Sequence, residues 1–98
     1  MTVVRMWETR LEASAAPAFW AAVRATWGQL TSYDGFISGE AFASAAPDPR
    51  GVVITHWRDE AAAGPAAAWE AQLDAHTARP GHGWFFAPVP LADPGKER

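Results

Sequence analysis

The chain reads as one α+β domain, built strand–helix–strand–strand–helix–strand within 98 residues. Three observations lead there: short runs with strand alternation or β-branched composition, two stretches with helical periodicity, and turn chemistry between them. That order is the split βαβ, ferredoxin-like arrangement, a four-stranded antiparallel sheet with helices on one face. The strands look apolar on both sides, so the uncovered face calls for a partner sheet and hence a homodimer.

The elements follow in order. Val3 to Leu11 alternates, with Val3, Arg5, Trp7, Thr9 and Leu11 on one side and Val4, Met6, Glu8 and Arg10 on the other. It has no Gly or Pro and reads as a strand. Ser14 is placed to cap a helix with Pro17 in its first turn. Phe19, Val23, Trp27 and Leu30 form its apolar stripe, with Trp20 beside it, up to about Thr31. Tyr33-Asp34-Gly35 is a turn. Phe36 to Ser44 is the second strand, with Phe36, Ser38, Glu40 and Phe42 on one side. The turn from Ala46 to Gly51 leads into Val52–Trp57, the third strand. Asp59 caps a short turn over Glu60–Ala63, which Gly64-Pro65 interrupts, since a residue before proline avoids helical geometry. Pro65 opens a helix to about Thr77, a Gly-rich loop holds His82, and Trp84–Val89 is the last strand. The domain spans 1–91, and 92–98 is a flexible tail.

Composition narrows the functions. A chain this short buries a modest share of its surface and gains from oligomerisation, since there is no cysteine to form disulfides. Absence of cysteine fits a reducing cytosol, so a cytoplasmic location is expected. No stretch has the apolar length of a bilayer span, so no membrane partner is expected. The net charge of −3, without a basic patch, argues against nucleic acid. His56, His76 and His82 have unrelated spacings, and no metal site is expected. Six Trp, five Phe and one Tyr are many for so small a core and point to an aromatic-walled binding surface.

Trp57-Arg58-Asp59-Glu60-Ala61, then Trp69 and His76 on the following helix, with Gly35-Phe36 after the first helix and a short final strand, resemble the antibiotic biosynthesis monooxygenase superfamily. The resemblance covers residues 2–90. It implies a dimeric α+β barrel with a pocket between sheet and helices in each subunit. It also implies a range of activities: cofactor-independent oxygenation of polyketide anthrones, haem degradation, cyclisation or isomerisation, or no catalysis. Two positions differ from the family's patterns: Thr9 stands where the haem-degrading branch has Asn, and Val53 where the anthrone oxygenases have Asn.

Mapped by strand parity, the pocket walls are Trp7 and Thr9 on the first strand and Val53, Thr55 and Trp57 on the third. Trp69 and Leu73 join them from the second helix and Trp27 from the first. Trp69 and His76 lie seven apart, on one helical line about 10 Å apart. An imidazole there could deprotonate an acidic phenol or 1,3-dicarbonyl near neutral pH, so His76 is the candidate base; a bland role at the helix end is the alternative. Arg5 and Arg24 could reach an anionic group on a substrate. The expected function is a cofactor-free monooxygenase-like enzyme of secondary metabolism acting on a planar aromatic or polyketide-type small molecule. A polyketide cyclase or isomerase, a non-catalytic apolar-ligand binder and a haem-binding degradative monooxygenase are the alternatives.

Overall fold

The computed structural model describes residues 2–44 and 47–91. Strand β1 (Val3–Arg10) is followed by a 3-10 turn (Ala13–Ala15) and helix α1 (Ala16–Thr31). Strands β2 (Phe36–Ala43) and β3 (Arg50–Trp57) form a hairpin, and then come α2 (Glu60–Ala63), α3 (Ala66–Leu73), a 3-10 turn (Asp74–His76) and β4 (His82–Phe86). All strand pairs are antiparallel and the sheet order is β2-β3-β1-β4. This is the ferredoxin-like βαββαβ arrangement, with β2 and β4 at the edges.

Alternation on the two central strands builds the core. Trp7 and Thr9 of β1, and Val53, Thr55 and Trp57 of β3, are buried on the face that carries the helices. Phe19, Val23 and Leu30 of α1 and Ala66, Trp69 and Leu73 of α3 close over them. The buried indole donors of Trp57 and Trp69 and the Thr9 hydroxyl are satisfied internally, as burial demands, whereas the buried Arg10 Nε has no hydrogen-bond partner among the described residues. Trp57 Nε1 donates to Thr55 Oγ1 at 2.7 Å, Trp69 Nε1 to Thr26 Oγ1 at 2.9 Å, and Thr9 Oγ1 to the Arg79 carbonyl at 3.2 Å. One charged pair is enclosed here: Arg5 Nε and Nη2 donate to the two carboxylate oxygens of Glu70 at 3.0 and 2.7 Å. The Arg5 guanidinium carbon lies 4.6 Å from the Phe85 ring centre. A Cβ at Gly83 would collide with Arg5, so the bare backbone of β4 leaves room for this pair.

Several local expectations are corrected. Ser14 caps nothing: it lies within the first 3-10 turn, and no side chain caps the start of α1. Gly64 is helical (φ −50, ψ −45), so the break before α3 comes from proline's missing N–H rather than from extended geometry at Gly64. The second helix ends at Leu73, and His76 sits in a separate 3-10 turn, so Trp69 and His76 do not share one α-helix. The last strand is His82–Phe86, earlier than expected. Asp59 does cap its turn, accepting from the Ala62 amide at 2.8 Å, and that hydrogen bond holds its carboxyl below the ordinary carboxylate range. Ala46 and residues 92–98, with the expected tail, lie outside the described residues.

The largest correction concerns β2. A bulge falls between Phe36 and Ser38, and from there Ser38, Glu40 and Phe42 pair with His56, Ile54 and Val52 on the open face. Phe36, opposite Trp57, is on the helix face instead, so the four residues do not share a side. The same bulge turns Gly39, Ala41 and Ala43 toward α1, opposite Thr55, Val53 and Gly51.

The open face carries Val4, Met6, Val52, Ile54, Phe42, Trp84 and Phe86. Phe42, Trp84 and Phe86 are each nearly half exposed. Glu8 and Arg50 cross this face as an ion pair at 3.1 Å, so Glu8 is neutralised within the chain. Among the described residues no helix is long and apolar enough to cross a membrane.

Candidate functional site

On the helix side, edge strand β2 has no large side chain beyond Phe36. Gly39, Ala41 and Ala43 form a low floor, and Ala41 and Ala43 remain exposed because α1 does not descend onto them. From α1, Trp20, Val23, Arg24 and Trp27 overhang this floor. Trp20, Arg24 and Trp27 stand at i, i+4 and i+7, so helical geometry lines them up on one stripe. Together with Glu40 they enclose an open groove of about 560 Å³, within the size range of small-molecule sites.

Both groove indoles are held from behind. Trp20 meets Phe19 edge-on at 4.9 Å between ring centres, and Trp27 meets Trp69 at 5.9 Å and 73°. A Cβ at Gly39 would lie 3.1 Å from the Trp27 ring, and one at Gly51 would lie 2.8 Å from Phe19. The two glycines therefore let α1 approach the sheet at both ends of the groove. Register with Ile54 places the Glu40 side chain on the other face of β2. Of the two charged residues in the lining, Arg24 stands on the groove stripe of α1.

The residues singled out from the sequence divide. Trp27 lines the groove. Trp7, Thr9, Thr55, Trp57, Trp69 and Leu73 do gather on the helix face of the sheet, but as packed interior, each at most 3% exposed. Trp7 contacts Phe19 and Trp69 at 6.1 and 6.4 Å between ring centres, while Trp57 packs against Phe36 at 5.3 Å. The three indoles share a side of the sheet without lining the groove. His76 is half-buried and does not line it either, and His82 is exposed at the start of β4. Sequence reasoning passed over Ala41 and Ala43 because unbroken alternation on β2 hides the bulge. The usable signal was the small-residue series Gly39, Ala41 and Ala43 facing an indole pair at helical spacing.

No family model and no curated protein matches the chain. Solved structures do. Rv0793 from Mycobacterium tuberculosis superposes with a TM-score of 0.74 at 19% identity, over 95% of this chain and 100% of that one. SnoaB from Streptomyces nogalater, described as a cofactor-independent oxygenase, gives 0.75 at 18% identity over 92% and 95%. The monooxygenase from the ActVA-Orf6 gene of Streptomyces coelicolor, solved in complex with nanaomycin D, gives 0.74 at 17% over 94% and 91%. Over nearly its whole length, this chain has the fold of the antibiotic biosynthesis monooxygenase structures.

Proposed function

We propose that this protein binds a flat aromatic or polyketide-type molecule in the groove between α1 and β2 and, as a cofactor-independent monooxygenase, presents it to dioxygen as a homodimer joined through the open sheet faces. The observation that carries this reading is the groove itself: two braced indoles over a floor of glycine and alanine leave a slot suited to a planar ring. Apolar walls remove water from such a ring and fix its orientation, and a substrate that ionises near neutral pH then offers carbanion character to oxygen. The same slot could fold a chain for ring closure. SnoaB, described as cofactor-independent, and the nanaomycin D complex share the fold and support the reading.

A second reading, ligand binding without turnover, is favoured by one feature: the groove lining holds no histidine or tyrosine to act as a general base, and its one carboxylate residue, Glu40, is in register with Ile54 of the open face. The haem alternative does not fit the groove, because its lining holds no histidine, cysteine, tyrosine or methionine to serve as an axial ligand.

Oxygen uptake with an anthrone tests the proposal. Uptake above the spontaneous rate, abolished by Ala41→Phe, which fills the floor, is the expected result. Tryptophan quenching without uptake would establish the second reading, and neither signal would overturn both. His76→Ala separates the base question: unchanged turnover is expected, whereas a loss of about 10²–10⁴-fold would restore His76 as the base.

A further inference from the structure

We infer that the groove selects flat aromatic molecules bearing an anionic oxygen, a carboxylate or an ionised phenol, and that Arg24 recognises that oxygen; the inference rests on the groove being the ligand site. Two independent observations lead to it. The first is position. Arg24 stands between Trp20 and Trp27 on one stripe of α1, so it borders the slot that would hold the ring.

The second is charge. Arg5 is paired with Glu70, Arg10 with Asp48, Arg50 with Asp48 and Glu8, and Arg58 with Asp34 and Asp59. Arg24 and Arg79 have no ion-pair partner among the described residues, and of the two only Arg24 lines the groove. The acidic residue of the lining, Glu40, is placed by its register with Ile54 on the opposite face of β2. The fold thus neutralises four arginines internally and leaves the groove's cation available. A guanidinium offers paired, coplanar N–H donors that match a carboxylate, and it does so beside apolar walls that weaken competition from water. The ring contributes contact area, and the anion fixes which end of it lies toward α1.

Tryptophan quenching with two probes tests this: an anthracene carboxylate and the neutral hydroxymethyl-anthracene of the same shape. The wild type is expected to bind the carboxylate about fivefold more tightly, the scale of a partly exposed ion pair, and to lose that preference as salt is raised. Arg24→Gln should abolish the preference while keeping the affinity for the neutral probe, and Arg24→Lys should retain part of it. Equal binding of both probes by the wild type, or a preference that survives in Arg24→Gln, would overturn the role of Arg24 and leave the groove standing. Failure of both probes to bind, or binding undiminished in Ala41→Phe, would overturn the groove itself. Thermal melting confirms that each variant is folded; Arg24 is exposed, so its replacements should melt close to the wild type.

Discussion

Removing the carboxylate of Glu70 leaves the Arg5 guanidinium enclosed beside Phe85 without a counter-charge. Glu70→Ala should therefore destabilise the fold by about 3–5 kcal/mol in denaturant unfolding, whereas Arg5→Met combined with Glu70→Leu should recover most of that loss. A Glu70→Ala protein as stable as the wild type would show that the pair is already hydrated. Arg5 is legible in sequence as a residue of the inward side of β1. Its partner is not, because it lies 65 positions later on another element. Asp59 is the opposite case: its partner is three residues away, and the sequence announces the cap. Its folded-state pKa is lowered from 3.8, so its contribution is present above that value and is lost as pH falls through the lower folded value. The melting-temperature gap between the wild type and Asp59→Ala should accordingly narrow between neutral pH and about pH 3. A gap independent of pH would mean that the charged form plays no part in the cap.

At the scale of elements, α1 and β2 make the proposed site between them. The helix was legible through its stripe of Phe19, Val23, Trp27 and Leu30, as were the faces of β1 and β3, because uninterrupted alternation carries its phase along a strand. The face of β2 beyond Phe36 was not legible: a single bulged position reverses the phase, and no Gly or Pro marks it at Ile37. The second helix shows a related limit, since its pattern continues past Leu73 while the backbone tightens into a 3-10 turn that removes His76 from the α-helical line. Gly28 offers a test of α1 itself. A Cβ there meets nothing within 4 Å, so Gly28→Ala should stabilise the protein by about 0.5–1 kcal/mol through helix propensity. Destabilisation on thermal or denaturant unfolding would mean that α1 departs from helical geometry at that point.

The whole molecule presents two very different faces. The helix side is closed by the core and opened at the α1–β2 groove, while the open sheet face exposes Phe42, Trp84 and Phe86 around Met6 and Ile54. A contiguous apolar sheet face of this kind needs a cover. In the proposed homodimer it is a second copy, and sedimentation at micromolar concentration should report two chains, with Ile54→Lys giving one. A stable wild-type monomer would remove the barrel from the account. The groove lies on the opposite side of the sheet, so ligand binding and dimerisation are separable. Six tryptophans distributed over core, groove and open face make that separation measurable. Titration of a flat aromatic probe, followed by the six indole N–H resonances in a nitrogen-15 correlation spectrum, tests the central claim most directly. The account predicts large shifts for Trp20 and Trp27, with Trp7, Trp57 and Trp84 nearly unmoved. Shifts concentrated at Trp7 and Trp57, or at Trp84, with Trp20 unmoved, would place the ligand in the core or on the open face and contradict it.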